Sequence, residues 1–151
     1  WKTKQAGIEA RFIELAGHIN GQMPHFVADK VQNALNRQRK PLNGSRIHVL
    51  GVAYKRDIDD VRESPALDII HLLAERGAAV SYSDPHISSI NVAGQLYEAI
   101  PLAPAVAEAD CVLIVTDHTG VDYTEVVERA RLIVDTRNAL KKFTSPNIVR
   151  L

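Results

Sequence analysis

The chain has 151 residues, 46% of them hydrophobic, a length that suits one domain or one domain with an appendage, without a metal or disulfide to hold its core. Its 18 basic and 18 acidic side chains cancel, which argues against a large nucleic-acid-binding surface, and runs as short as Val112–Val115 cannot span a membrane. The single cysteine excludes an intramolecular disulfide and favours a cytoplasmic location.

The first predicted element is helical and covers Ile8–Arg39, where apolar residues recur at steps of three and four. Proline disfavours helix for the residue before it, so we expect a kink or break near Pro24. The polar stretch Asn36–Ser45 contains a proline and a glycine and predicts a connector. We therefore assign residues 1–43 to a helical segment, the end of a central domain, and residues 44–151 to a second domain.

Short apolar strands then alternate with helices. Ser64 and Pro65 favour the start of the clearest helix, as N-cap and first residue, and Gly77 favours its end. The predicted strands are Ile47–Val52, Ala79–Ser83, Cys111–Thr116 and Leu132–Asp135, and the other helices are Pro104–Ala109 and Tyr123–Arg131. Ile87–Leu102 holds either an extra strand or only a loop. This order predicts an α/β fold, a Rossmann-like, open, mostly parallel sheet with helices on both faces, preceded by a long kinked helix.

Ligands of such sheets bind beyond the carboxyl ends of the strands. After the first predicted strand only Gly51 is present, so the three-glycine dinucleotide motif is absent and we do not expect the sheet itself to hold NAD in the ordinary way. Four cations follow the first and fourth strands: Lys55, Arg56, Arg62 and Arg137. Cations beside a helix N-terminus suit a phosphate or diphosphate. The alternative is a solvated network in which they pair with Asp57, Asp59, Asp60 and Glu63.

The stretch GVAYKRDIDDVRESPAL, residues 51–67, resembles the signature of the C-terminal domain of the UDP-glucose/GDP-mannose dehydrogenase family. Residues 1–24 resemble the linking helix of the branch that acts on UDP-N-acetylhexosamines or UDP-glucose, and the resemblance covers essentially the whole chain. It implies an NAD-dependent enzyme that oxidises the C6 hydroxyl of a UDP-sugar to a carboxylate in two hydride transfers. It also implies an N-terminal NAD domain, a central dimerisation domain and a C-terminal UDP-sugar-binding domain.

The resemblance assigns roles to four residues. Tyr54 and Lys55 match positions that contact the UDP-sugar. Arg137 matches the arginine of a DGR turn that also contacts it, although Thr136 stands here where the family has glycine. Arg62 matches the arginine of an RES motif that helps close the NAD site. The implied partners are a UDP-sugar and, in a homodimer or higher homo-oligomer, further copies of the whole protein, with neither nucleic acid nor membrane involved.

The family's chemistry needs a nucleophilic thiolate. Cys111 opens a buried-strand pattern with no adjacent His or Lys to lower its pKa, so we interpret it as a core residue. The family's catalytic cysteine precedes the segment that resembles residues 1–7. The resemblance therefore implies that the chain begins just after that nucleophile, which accounts for Trp rather than Met at residue 1. We expect it to contain no catalytic residue and to be inactive alone. NAD is then bound mainly by a domain outside it.

The six histidines show no metal-binding spacing, and Asp57, Asp59 and Asp60 lack the EF-hand pattern, so no metal site is predicted. Asp117 and His118 follow a strand and are interpreted as capping the next turn.

Two functions of other classes stay open: a non-catalytic Rossmann-like module that binds a phosphorylated ligand or a protein partner, and a receiver-like or flavodoxin-like signalling domain. The latter lacks the acidic cluster expected at the first strand end of a receiver.

Overall fold

A computed structural model describes residues 11–151. The helices are α1 (Arg11–Arg37), α2 (Pro65–Glu75), α3 (Leu102–Glu108) and α4 (Tyr123–Arg129). The strands are β1 (Arg46–Leu50), β2 (Ala79–Ser83), β3 (Ser89–Val92), β4 (Gln95–Glu98), β5 (Cys111–Ile114), β6 (Ile133–Asp135) and β7 (Ile148–Arg150). Five strands form one parallel sheet in the order β2–β1–β5–β6–β7, and β3 pairs with β4 in a separate antiparallel hairpin. The predicted α/β fold is confirmed.

Both faces of the parallel sheet are covered. Along β1, Ile47 and Val49 lie in a hydrophobic cluster with α1 and α2, whereas Leu50 lies in a second cluster with α3 and α4. The same alternation places Leu113 of β5 in the first cluster and Val112 in the second. Because successive side chains point to opposite faces and both faces are buried, the central strand β5 is a continuous apolar run. No helix of residues 11–151 is long and apolar enough to cross a membrane.

The long helix predicted before the sheet is present as α1, and it runs through Pro24 without interruption, so of the two expectations at this residue a break does not occur. A proline inside a helix costs about 3 kcal/mol through its missing N–H and its ring. Here the ring is buried, and the following turns bury Val27 and Val31 in the main core. Each fully buried valine contributes about 1.5–3 kcal/mol, so this packing offsets the cost. The part of the predicted helix before Arg11 lies outside the described residues.

Helix α2, which follows the loop after β1, begins and ends as the sequence predicts. The Ala66 backbone N–H donates to Ser64 Oγ at 3.3 Å, and Pro65 is the first helical residue of α2. After the helix, Gly77 adopts a φ of +85°. A Cβ at Gly77 would lie 2.5 Å from Oδ1 of Asn43, so this glycine also lets the connector pack against the helix end.

Two features were not predicted. The segment Ile87–Leu102, left open above, contains the β3–β4 hairpin, whose turn residues Ala93 and Gly94 have φ values of +50° and +87°. The edge strand β7 was missed. It has only three residues and forms by pairing with β6. The remaining predicted strands and helices after residue 44 end within two residues of the observed bounds.

Candidate functional site

The order of the parallel strands reverses direction between β1 and β5, the position at which such sheets commonly bind ligands. In this protein the loops that follow the two strands meet at that position. The Asp57 backbone N–H donates to Nδ1 of His118 at 3.0 Å, and the Asp57 carboxylate accepts from the backbone N–H of Thr119 at 2.9 Å. Hydrogen bonds between the loops after β1 and β5 therefore cross this position.

An open pocket of about 460 Å³ lies instead between the strand ends and α1. Its sheet side includes Tyr54 from the loop after β1 and Arg137 from the loop after β6. Pro24 and Val27 contribute to the α1 side, and the carboxylates of Glu63 and Asp68 also line the pocket. The two site residues that are far apart in sequence are thus brought to one cavity of mixed charge. The α1 wall and the two carboxylates were not anticipated from the sequence.

Lys55 lies beside Tyr54 but does not line the pocket. Its ammonium nitrogen is 5.3 Å from the centroid of the Tyr54 ring, within the range of a cation–π contact. Within residues 11–151, no carboxylate lies within 4.0 Å of this nitrogen. The tyrosine is 43% exposed, so the pair presents an aromatic face and a positive charge to solvent.

Arg137 projects from a turn organised by Asp135. This buried carboxylate accepts hydrogen bonds from the backbone N–H groups of Arg137, Ala139 and Leu140 at 3.0, 3.2 and 2.8 Å. Within this turn Asn138 adopts a positive φ, of +56°, whereas Thr136 does not. Threonine is therefore accommodated without backbone strain where the family has glycine.

The cations are partly paired, as the surface-network alternative predicts: Arg62 pairs with Asp60, one of the expected partners, whereas Arg56 pairs with Asp117, which was not expected. Arg56 forms an ion pair with Asp117, and Nε of Arg137 lies 4.0 Å from the other oxygen of the same carboxylate. Arg62 binds both oxygens of Asp60, with distances of 3.0 Å from Nε and 2.8 Å from Nη2. This guanidinium lowers the pKa of Asp60 to about 2. Arg62 is exposed and does not line the pocket.

The described residues do not fit the dinucleotide-binding pattern of a Rossmann sheet. Gly51 has a φ of +81°, and a Cβ there would lie 2.0 Å from the Thr116 carbonyl oxygen, so this glycine serves strand packing rather than the approach of a pyrophosphate. Asp84, the acid after β2, has a fully buried side chain. Its oxygens accept hydrogen bonds from the backbone N–H groups of Val52, Ala53, His86 and Ile87. It is therefore not free to bind a ribose hydroxyl.

One cluster has the composition of a metal site. Single ligand atoms of Asp57, His86 and His118 lie within 4.8 Å of one another. However, Nδ1 of His118 accepts the Asp57 N–H, and its Nε2 lies 3.1 Å from Asp84 Oδ2, which assigns the proton to Nε2. Both ring nitrogens are engaged, so His118 has no free lone pair for a cation.

The interpretation of Asp117 and His118 as caps of the next turn is wrong. His118 is bonded to the loops after β1 and β2, and Asp117 is paired with Arg56. The cap of α4 is Asp122, whose carboxylate accepts from the backbone N–H groups of Thr124 and Glu125 at 2.9 and 3.2 Å. A polar pair after a strand does not reveal which distant loop it contacts.

Cys111 is fully buried in the cluster that α1 and α2 form with the sheet. Burial raises the pKa of its thiol to about 12. The side chain is therefore a protonated core residue, and the interpretation made from the sequence is confirmed.

Comparison with known proteins places this geometry in context. Residues 48–142 match the model of the UDP binding domain of the UDP-glucose/GDP-mannose dehydrogenase family. The UDP-N-acetyl-D-mannosamine dehydrogenase of Methanococcus vannielii is 30% identical over 148 residues, which cover 93% of this chain and 33% of that protein. The NDP-N-acetyl-D-galactosaminuronic acid dehydrogenase of Ralstonia solanacearum is 32% identical over 130 residues, covering 85% and 30%.

A solved structure gives the same result at the level of the fold. The UDP-D-ManNAc dehydrogenase from Pyrococcus horikoshii superposes with a TM-score of 0.80 at 28% identity, covering 98% of this chain and 35% of that one. The chain thus spans about a third of the length of the curated relatives it matches.

Proposed function

The chain belongs to the UDP-glucose/GDP-mannose dehydrogenase family, and from this premise we propose that it is the C-terminal, UDP-sugar-binding part of an NAD-dependent nucleotide-sugar 6-dehydrogenase. The whole enzyme oxidises the C6 hydroxyl of the sugar to a carboxylate, and this chain supplies the half of the site that holds the nucleotide sugar. The observation that carries the proposal is the pocket shared by Tyr54 and Arg137, both within the residues that match the family model.

The proposed roles follow from the chemistry of each side chain. The Arg137 guanidinium donates two parallel N–H groups to diphosphate oxygens, a geometry that a lysine cannot offer. Tyr54 offers a ring face and a hydroxyl, and Lys55 adds a second positive charge next to it. Glu63 and Asp68 repel phosphate but accept hydrogen bonds from hydroxyl groups. The mixed charge therefore favours a ligand with the diphosphate toward Arg137 and the sugar hydroxyls toward the carboxylates.

Arg62 is proposed to face NAD from this chain. Its guanidinium is exposed and held by Asp60, and the described residues form no dinucleotide site of their own. When bound, NAD supplies the hydride acceptor, and we propose that a part of the protein outside this chain holds most of it. The buried Cys111 cannot act as the thiolate, so we propose that the catalytic cysteine also lies outside and that the chain alone has no dehydrogenase activity.

The sugar is proposed to be an N-acetylated hexosamine. Relatives named for UDP-N-acetyl-D-mannosamine and for NDP-N-acetyl-D-galactosaminuronic acid support this class over glucose. The choice among N-acetylhexosamines stays a prediction, as do the division of the chain after residue 43 and a cytoplasmic location.

A homodimer or higher homo-oligomer of the whole protein is proposed from the surface of α1. Phe12 and Ile13 are 84% and 67% exposed, and Leu15, Ile19 and Phe26 are at least half exposed. Large apolar side chains that stand out of a helix are typical of an interface. This supports the expectation that α1 belongs to a central dimerisation domain.

The experiment that tests the ligand is calorimetric titration of this chain with UDP, UMP and uridine. We expect UDP to bind more tightly than UMP, because the second phosphate adds a contact to Arg137. The variant Arg137→Ala should weaken UDP binding at least tenfold. Lys142→Ala removes the same charge from an exposed residue outside the pocket and should leave the affinity unchanged.

Two outcomes would contradict the proposal. One is the absence of heat or NMR shift changes with millimolar UDP. The other is equal weakening by Arg137→Ala and Lys142→Ala, which would indicate non-specific charge attraction. Binding of inorganic pyrophosphate as tight as that of UDP would favour the alternative, a module for phosphorylated ligands in general.

A further inference from the structure

Asp84 anchors the loop that leads into the candidate site. Its Oδ2 accepts hydrogen bonds from the backbone N–H groups of Val52 and Ala53 at 2.7 and 3.0 Å, directly before Tyr54. The side chain is fully buried, and a buried carboxylate is stable only when its lone pairs are satisfied. The position of the two amides is therefore tied to the end of β2.

His118 anchors the same loop on its other side. Its ring donates from Nε2 to Asp84 Oδ2 at 3.1 Å and accepts the Asp57 backbone N–H at Nδ1, at 3.0 Å. The side chain is fully buried, and the arrangement requires a neutral ring with its proton on Nε2. Asp57 has a φ of +59°, in the left-handed region that non-glycine residues seldom adopt, and the hydrogen bond from its amide to His118 holds the loop at this residue.

Only three residues, Tyr54, Lys55 and Arg56, separate the two anchored ends of the loop. We propose that Asp84 and His118 are positioning residues that set where Tyr54 and Lys55 stand, and that they control the affinity for the nucleotide diphosphate without touching it. Neither lines the pocket. The inference rests on the proposed function, because the consequence of the anchoring is measured as nucleotide binding.

Variants of His118 separate its two hydrogen bonds. His118→Asn keeps an acceptor near Nδ1 for the Asp57 N–H but loses the bond to Asp84, and His118→Gln keeps a donor toward Asp84 but loses the other bond. His118→Leu loses both. We expect UDP affinity to fall about tenfold or more in His118→Leu, with intermediate losses in the Asn and Gln variants, since a misplaced pair of binding side chains costs affinity steeply.

His48→Leu is the matched control. His48 is also a buried histidine, but its Nδ1 is hydrogen-bonded to Ser81 Oγ at 2.9 Å rather than to the loop. Urea denaturation gives the loss of stability in each leucine variant. If His118 has a merely structural role, His118→Leu and His48→Leu with equal losses of stability should have equal UDP affinities. A positioning role predicts loss of affinity for His118→Leu alone. It also predicts faster hydrogen exchange confined to the Val52, Ala53 and Asp57 amides in ¹⁵N NMR spectra.

The outcomes distinguish this inference from the proposed function. If the unmodified chain does not bind UDP, the proposed function fails and the positioning role fails with it. If the unmodified chain binds UDP and folded His118→Leu binds it equally well, only the positioning role is overturned. Should His118→Leu not fold, folded His118→Gln with unchanged UDP affinity and unchanged loop exchange overturns it equally.

Discussion

The guanidinium of Arg137 and the carboxylate of Asp117 lie 4.0 Å apart, measured from Nε to Oδ1. The other oxygen of that carboxylate is paired with Arg56, and the Asp117 side chain is only 16% exposed. One carboxylate is thus shared between two cations at the edge of the pocket. The negative charge of Asp117 next to Arg137 reduces the attraction of this guanidinium for a diphosphate.

The variant Asp117→Asn should therefore bind UDP more tightly. Exposed ion pairs contribute about 0.2–1 kcal/mol, which corresponds to a gain in affinity of up to about fivefold once Arg137 is released. The measurement is calorimetric titration with UDP at fixed salt. Asp59→Asn makes the same charge change at an exposed carboxylate of the loop after β1 and is the control. Weaker binding by Asp117→Asn, or an equal gain in both variants, would contradict this effect of Asp117.

Gly51→Ala should destabilise the fold strongly, because the new Cβ would lie 2.0 Å from the Thr116 carbonyl oxygen in a backbone of φ +81°. Gly94→Ala is the matched control, since that glycine has a φ of +87° with no atom within 4 Å of the added Cβ. We expect a loss of about 1 kcal/mol for Gly94→Ala from backbone strain alone, and a loss of about 3 kcal/mol or more for Gly51→Ala. Urea denaturation measures both, and equal losses would show that the contact with Thr116 is unimportant.

The stability of the protein should depend on pH between 4 and 6.5 through His48. Burial lowers the pKa of this histidine from 6.5 to about 4, so in that range the unfolded chain binds a proton that the folded chain does not. The free energy of unfolding therefore rises with pH in this range. The stabilising contribution of neutral His48 is fully present above pH 6.5 and is lost as the pH drops toward 4. The full change is at most about 3.5 kcal/mol, since each pKa unit between 6.5 and about 4 corresponds to about 1.4 kcal/mol.

Urea denaturation at pH 4.5 and 7 checks this dependence. His48→Gln should flatten it, whereas His71→Gln, at a largely exposed histidine of α2, should not. The hydrogen bonds from Thr119 and Arg62 hold the pKa values of Asp57 and Asp60 below their ordinary 3.8, so these carboxylates act below this window. A pH dependence that persists in His48→Gln would assign the effect to other groups.

The thiol of Cys111 should be inert in the folded protein. Its pKa of about 12 and its burial leave no accessible thiolate, so a disulfide reagent such as DTNB should react only as fast as the chain unfolds. The reference rate is that of the unfolded chain in about 6 M urea, where the thiol is accessible. The variant Cys111→Ala should bind UDP as the unmodified chain does. Rapid labelling of the native protein would contradict the core assignment.

Several elements of the fold could be predicted because their signals are local. The cap at Ser64, the proline at the first position of α2 and the glycine after it act within a few residues of one helix. The central strand β5 is a continuous apolar run because both faces of the sheet are covered. The hairpin turn at Ala93 was harder to recognise, since alanine disfavours the positive φ that it adopts there.

The alternation of the main strands and helices, the family resemblance and the chemical character of the site follow from the sequence, the last two through the motif that contains Tyr54, Lys55 and Arg62. How these groups are arranged depends on the folded chain. Parallel pairing brings the ends of β1 and β6 to one edge, so Tyr54 shares a pocket with Arg137, whereas Arg62 is turned to Asp60. Contacts between distant loops have no periodic signature along the chain, because they depend on which strands become neighbours. For the same physical reason, only the folded sheet revealed Asp84 and His118 as the anchors of the loop.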